Sequence, residues 1–392
     1  MTTSAALDQH LSGRADVAII GGGPAGAATA LALKRLGRTV VVIERVDSIR
    51  TRIGETLPPS IRLLLESLDL WPQFVKDRHM PSAGNRSAWG SDELVDRDFI
   101  FSPYGSGWHL DRQKFDAMLQ QAAVSAGVSL MGGTNLTCYE RLPAAGWRLQ
   151  LKGSAGCSSV TARFVVDASG RATIFAQRNG IKRHLLDHMV GVVGYFEAGP
   201  EGPTQEQFTL VEAVESGWWY SALLPDGKLV VVYMTDADLA SSQILRSQGN
   251  WLALLRKTRH TWLRVASHSY HLNGPTQIVA ANSSFLDLVV GNCWLAVGDA
   301  AAAYDPLSSQ GIMTALSTGL NAASAINAHL QGDQRALQDY AVYSKTLSVD
   351  FLSSHSAYYA MERRWPHSTF WRRRHLPRFQ AHRKRAARLP SG

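Results

Sequence analysis

Val17-Ala18-Ile19-Ile20-Gly21-Gly22-Gly23-Pro24-Ala25-Gly26 decides the fold of this 392-residue chain. The apolar run ending at Ile20 reads as a strand, Gly21, Gly23 and Gly26 fall at G-x-G-x-x-G spacing, and Ala25 to Leu36 is rich in helix formers. The glycines divide the work: Gly21 allows the turn, Gly23 lets backbone approach a pyrophosphate, and Gly26 lets helix and strand pack closely. Pro24 suits the first helical position, where its missing N–H is no loss. The helix would then offer unpaired amides and the positive end of its dipole to phosphate groups. Gly37 closes the helix, Thr39 to Ile43 returns as a buried parallel strand, and Glu44 ends it about twenty residues after the glycines, where a carboxylate can accept ribose hydroxyls. A glycine turn in an ordinary βαβ unit would explain the glycines alone. It does not explain strand, helix, second strand and terminal acid together.

With 45% hydrophobic residues the chain can bury a large core and is expected to divide into two lobes. Cys138, Cys157 and Cys293 stand apart, without C-x-x-C or metal spacing, so reduced thiols, no bound metal and a cytoplasmic location are expected. Met1 to Ala15 lacks a secretory pattern, and no apolar run approaches the roughly 20 residues of a membrane span. The net charge of +8 is local: residues 363–392 carry ten bases and no acid, against 30 bases and 32 acids before them. A solvated basic terminus is the default reading, and docking on an acidic partner, nucleic acid or a membrane surface shares the rest, with a protein or peptide client of acidic surface preferred and nucleic acid disfavoured. Trp365, Phe370, Trp371 and Phe379 lie among these bases, so the first half of the tail is expected to pack on something.

Further along, Gly54-Glu55 sits in a loop rich in Gly and Pro, and His109-Leu110-Asp111-Arg112 leads into a helix over Gln113 to Ala126 capped by Asp111. Arg112 in that first turn reads either as a surface charge or as a guanidinium reaching a diphosphate or ribityl group. A strand from Ser159 to Val166 runs into Asp167-Ala168-Ser169-Gly170-Arg171, a second backbone bend suited to close approach. Met189 to Thr235 alternates as strands with a Pro-Asp-Gly turn at 225–227, which predicts an antiparallel sheet; Trp251 to Val265 reads as helix. A last strand delivers Gly298-Asp299, then Asp305-Pro306-Leu307-Ser308-Ser309-Gln310-Gly311-Ile312 opens a long helix whose free amides face whatever lies before Pro306.

With these residues in place the chain resembles the single-component FAD-dependent monooxygenases of the p-hydroxybenzoate hydroxylase fold and their relatives, the flavin-dependent halogenases and geranylgeranyl reductases. The resemblance spans about residues 14 to 360. It implies an α/β fold: a Rossmann-like FAD-binding domain of glutathione-reductase type over 1–80, 105–180 and 275–362, interleaved with a substrate domain on a mostly antiparallel sheet over 81–104 and 181–274, plus C-terminal helices and a basic tail over 363–392. Gly21, Gly23, Pro24, Ala25, Gly26, Glu44 and Arg45 would hold the ADP half of FAD. Arg112, Asp167, Gly170, Gly298 and Asp299 would hold the pyrophosphate and ribityl chain, and Pro306, Ser309, Gly311 and Ile312 the isoalloxazine. Electrons would come from NAD(P)H or a separately reduced flavin, and the oxidant would be molecular oxygen.

Glu215 to Pro225, Gly298 to Gly311 and the ending from Glu362 to Arg374 look most like the flavoprotein monooxygenases that mature tryptophylquinone cofactors. That likeness implies hydroxylation of an electron-rich ring through a flavin hydroperoxide, the ring being a tryptophan of a partner polypeptide. Trp89, Trp218, Trp219 and Tyr220 are then candidates for the substrate face, and Glu55, His109 and Asp305 for proton transfer. Halogenases and small-molecule aromatic hydroxylases are the nearest alternatives. Halogenases call for W-x-W-x-I-P and a lysine; here the stretch is Gly217-Trp218-Trp219-Tyr220 onward to Pro225, and Asn85 to Ser91 holds Arg86 and Trp89 but no lysine. A flavin-carrying maturation partner without catalysis and an isoprenoid double-bond reductase are the other readings.

Overall fold

The computed structural model describes residues 12–46, 53–143, 146–154, 156–240 and 247–375. The reading of the first residues as free of a leader, Phe379, and the tail bases Arg378, Arg383, Lys384, Arg385 and Arg388 fall outside those ranges.

The opening strand Ser12–Ile20, the helix Pro24–Arg35 and the strand Val40–Ile43 form the expected unit, and the two strands pair in parallel with Ile19 opposite Val42. All four residues of Val40–Ile43 are buried, because parallel strands covered on both faces need a continuous apolar run. On its other side Ser12–Ile20 pairs in parallel with Gly156–Asp167, which pairs in parallel with Trp294–Ala296. Three chain segments far apart in sequence therefore bring their carboxyl ends to one edge of this sheet, where Gly21, Ala168 and Gly298 begin their turns. Ligands of open α/β sheets bind along that edge.

The second sheet has the order His271–Ala280, Met189–Glu197, Leu229–Asp236, Gly217–Leu223, Phe208–Val214, Gly84–Ala88, Val95–Asp98. The strand His271–Ala280 pairs with Met189–Glu197 from His271 to Ala280. The boundary at 274/275 is corrected accordingly: it cuts a strand whose register is continuous apart from one irregularity.

The single helix over Trp251 to Val265 is two, Gln248–Leu255 and His260–Ala266. Buried Glu212 explains the break, since its carboxylate accepts from the amides of Arg259 at 2.7 Å and Thr261 at 2.7 Å and so starts a new helix. After Gly311–Leu330 comes Ala336–Met361, the longest of the C-terminal helices that the resemblance implied.

The basic tail also changes meaning. The helix Thr369–His375 buries Phe370 and Trp371 in the core of the second sheet beside Trp218 and Tyr359. Arg374, itself buried, pairs with Asp236 at 2.8 Å, Arg373 pairs with Asp236 and Asp238, and Arg364 pairs with Glu362 at 2.6 Å. Arg374 is thus structural, Arg364 is part-buried against Glu362, and Arg373 pairs with Asp238 at the surface. Among the described residues no helix is long and apolar enough to cross a membrane.

Candidate active site

One cavity of about 1300 Å³ runs from the glycine turn, across the carboxyl edge of the first sheet, to the inner face of the second. At one end Gly21, Gly23, Pro24 and Ala25 line it with Glu44 and Arg45. Gly21 has φ +107°, and a Cβ there would lie 2.3 Å from the Ala168 carbonyl oxygen; Gly26 is packed so tightly that a Cβ would lie 1.9 Å from the Gly21 carbonyl oxygen. Gly26 therefore serves the cavity from behind, by letting the helix sit on the turn. Glu44 accepts from the amides of Gly22 at 2.6 Å and Val46 at 3.0 Å. Gln120, which sequence reasoning passed over, braces the same turn by donating to the Gly22 carbonyl at 2.8 Å.

In the middle stand Glu55, Arg112, Gly170, Arg171 and Asp299. Asp111 caps the helix Arg112–Ser125, and Arg112 is buried in a forked pair with Asp116 while donating to the carbonyls of Ile53 at 2.8 Å and Gly54 at 3.1 Å. Glu55 accepts from the Gly54 amide through Oε2, and its buried Oε1 has no partner among the described residues. Burial pushes the Glu55 carboxyl above the ordinary carboxylate range, against the pull of the Gly54 amide and Arg112. Arg171 reaches Asp299 at 3.5 Å, and Arg183 donates to the Asp299 carbonyl at 2.9 Å. Arg171 was legible as the residue after Asp-Ala-Ser-Gly; Arg183 carried no local signal.

Asp167 is corrected. It does not line the cavity: one carboxylate oxygen accepts from the Ser169 amide and hydroxyl, the other from the amides of Phe175 and Ala176 at 2.9 Å. It shapes the bend instead of contacting a ligand. Gly298, at φ +54°, likewise lies behind the wall, where a Cβ would meet the Ala25 Cβ at 2.8 Å.

At the far end Pro306, Ser309, Gly311 and Ile312 face Tyr195, Trp218, Tyr220 and Met234. Strand alternation separates the three consecutive aromatics of Gly217–Leu223. Trp218 and Tyr220 line the cavity, whereas Trp219 points to the other face and stacks on Tyr233 at 4.8 Å and against Trp251 at 5.3 Å. Trp219 is therefore a core residue and not part of the substrate face. Trp89 sits one layer back, edge-on to Trp218 at 6.4 Å, with its indole N–H on the Tyr358 carbonyl.

His109 lies outside the lining and reaches it only through hydroxyls: Nε2 to Thr209 at 3.0 Å, Thr209 to Thr56 at 3.4 Å, and Thr56 to the Tyr220 phenol at 2.7 Å. Burial, with the charge of Arg264, holds His109 down to about 4, so it is neutral near pH 7. Asp305 is in the wall, but its carboxylate is already engaged by His355 Nε2 at 2.9 Å, the Tyr359 hydroxyl at 2.7 Å and the Leu307 amide at 2.9 Å. Burial raises it, and the contacts with His355 and Tyr359 more than offset this, leaving it below the usual range.

A βαβ glycine turn, a second Gly bend and a third loop before a long helix, all opening into one cleft beside an antiparallel sheet, define a two-sheet dinucleotide-binding flavoprotein. The chain belongs to the FAD-binding domain family, whose model matches residues 14–346. A putative FAD-dependent oxidoreductase of Marinomonas mediterranea, LodB, is 32% identical over 92% of this chain and 96% of its own. A flavin-dependent halogenase of Armillaria mellea, armH5, is 27% identical over 85% of this chain and 68% of its own. Among solved structures, the myxobacterial chondrochloren halogenase CndH superposes with a TM-score of 0.84 at 25% identity, covering 96% of this chain and 89% of its own. The peptidyl tryptophan dihydroxylase QhpG gives a TM-score of 0.73 at 26% identity, covering 92% and 78%. The chain is an FAD-dependent oxidoreductase of the halogenase and monooxygenase type.

The residues present fit FAD. Gly311 lines the far end, and a Cβ there would meet no atom of the chain within 4 Å, so the protein's own packing does not require a glycine at that point. The unpartnered Glu55 oxygen is a polar group the chain leaves for a ligand. Because the folded protein holds the Glu55 proton more tightly than the unfolded chain, this group's contribution to stability is full at low pH and is lost as pH rises through its folded value. Glu55→Gln is expected to remove that loss, checked by urea midpoints of the flavin-free protein from about pH 4 to about pH 8.

Proposed function

We propose that this chain hydroxylates an electron-rich aromatic ring, the indole of a tryptophan in a partner polypeptide. The observation that carries the choice over halogenation is the lysine content of the cavity. Among the described residues lining it the lysine is Lys228, at the hairpin, and its ammonium pairs with Asp226 at 3.0 Å. Lys76 is exposed at the end of the helix Trp71–Lys76, and Arg86 is tied to Asp96 and Glu206. The resemblance to halogenases calls for a lysine to guide hypohalous acid, and the lysine in the described lining is held by Asp226.

FAD, reduced by NAD(P)H or by a separate flavin reductase, would supply the activation of molecular oxygen. Glu44, Arg45 and the amides at Gly23 would hold its adenosine diphosphate half, with Arg112 and Asp299 further along. The amino end of Gly311–Leu330 presents its positive pole to the far end of the cavity and stabilises negative charge there. Tyr195, Trp218, Tyr220 and Met234 wall that end and exclude water. An indole carbon is nucleophilic enough to react with little help from a base. A proton can be relayed at the Tyr220 hydroxyl along Thr56 and Thr209 to neutral His109.

The test is co-expression with a candidate client under labelled dioxygen, followed by mass spectrometry of the client. One labelled oxygen on a tryptophan supports the proposal. A client bound and unlabelled supports the escort reading and overturns it, as does a halogenated product in bromide or oxygen-independent reduction of an isoprenoid. The two neighbouring tryptophans should also separate: Trp218→Phe is expected to raise the KM for the client several-fold. Trp219→Ala is expected to leave that KM unchanged and cost about 3–5 kcal/mol of stability, read by urea unfolding.

A further inference from the structure

The wall of the cavity continues into a file of oxidisable rings that ends at the protein surface. Trp218, in the lining, donates its indole N–H to the Tyr359 hydroxyl at 3.0 Å and lies 6.4 Å, ring centre to ring centre, from Trp89. Trp89 and Tyr359 both contact Trp371, at 5.3 and 5.9 Å. Trp371 stacks on Trp365 at 6.2 Å with the planes 21° apart, and Trp365 is partly exposed. Indole and phenol are the side chains that lose one electron most readily, and rings in contact exchange electrons quickly. Tyr359 has the further equipment a phenol needs, because oxidation makes its proton strongly acidic: its hydroxyl already donates to the Asp305 carboxylate at 2.7 Å, which His355 also contacts. At the outer end Arg364 lies 4.2 Å over Trp365, yet its charge is balanced by Glu362 at 2.6 Å.

We propose that this file drains oxidising equivalents from the cavity when no aromatic client is present to consume them. A one-electron oxidant of the reactive-oxygen class formed in the cavity takes an electron from Trp218 and is itself reduced. The vacancy passes outward through Tyr359 or Trp89 and Trp371 to Trp365, each ring being oxidised once and reduced once. While Tyr359 carries the vacancy its phenolic proton rests on Asp305, and it returns when the electron is replaced. At the surface a reductant of the thiol or ascorbate class gives one electron to Trp365. The function is protective, and it depends on the flavin site but not on which ring is hydroxylated.

The test uses the full-length flavin-loaded protein, with loading measured by its visible absorbance. The reduced protein is mixed with dioxygen in the absence of a client and freeze-quenched for electron paramagnetic resonance, with and without deuterated tryptophan in the chain. An indole radical whose hyperfine pattern narrows on deuteration is expected, and ascorbate should shorten its life several-fold. In Trp365→Phe, which keeps an aromatic ring beside Trp371 and whose flavin loading and thermal midpoint are measured alongside, the radical should outlast the wild type several-fold and resist ascorbate. Peptide mapping should then find oxidation shifted from residue 365 to Trp371 and Trp89. Absence of any indole radical in the wild-type protein overturns the proposal. So does oxidation confined to Trp218 in wild type and variant alike.

Discussion

Gly26→Ala is expected to abolish flavin binding, giving a protein with no visible absorbance after reconstitution. The new methyl would lie 1.9 Å from the Gly21 carbonyl oxygen, 3.1 Å from its carbon and 3.2 Å from the Ala168 Cβ. None of these is the movable end of a side chain, and Gly21 already stands at a positive φ that the loop cannot leave without opening. The helix Pro24–Arg35 must therefore lift away from the turn, which removes its amides from the cavity; overpacking of this kind also costs about 1–3 kcal/mol or more. Gly311→Ala is the informative partner. Its methyl meets nothing in the chain within 4 Å, so the thermal midpoint of the flavin-free protein should be unchanged while flavin affinity falls. Absorbance per mole of protein and thermal unfolding, measured side by side on both variants, check the pair.

Asp236→Ala should destabilise the chain by about 3–5 kcal/mol, because it leaves a buried guanidinium without its counter-charge. Arg374 and the Asp236 side chain are both almost fully buried, and Arg374 sits 3.5 Å over the Phe370 ring, so water cannot replace the carboxylate. Arg373 keeps Asp238, which confines the damage to Arg374. Urea unfolding should show a lower midpoint, and trypsin should cut at Arg372 to Arg374 in the variant before the rest of the chain is lost. Arg363→Ala, an exposed change with one backbone contact, should move stability by less than about 0.5 kcal/mol.

The flavin half of the site was readable because its requirements are local. Glycines that must turn or be approached, a proline at a helix start, and an acid ending a buried strand are each dictated by backbone geometry within a few residues. The consecutive run Trp218-Trp219-Tyr220 was readable as substrate-facing only in part, since a period of two sends alternate residues to opposite faces and composition does not say which. Asp167 illustrates the opposite error. An acid beside a glycine bend looks like a ligand, yet the same bend leaves four donors of its own that one carboxylate satisfies. The Asp305–His355 pair spans 50 residues and lay beyond any spacing rule.

The order of residues by itself determined the dinucleotide turn and the change from α/β to antiparallel strands, because those follow from steric and periodic constraints acting between near neighbours; FAD as the cofactor came from the resemblance of the ordered motifs to a known family. Tertiary structure alone decided which charges are buried pairs, which aromatics face the cavity, and that Phe370 and Trp371 belong to the second core. Those depend on segments far apart in the chain, 138 residues for Arg374 and Asp236 and 50 for His355 and Asp305, and burial and electrostatics act on distance in space.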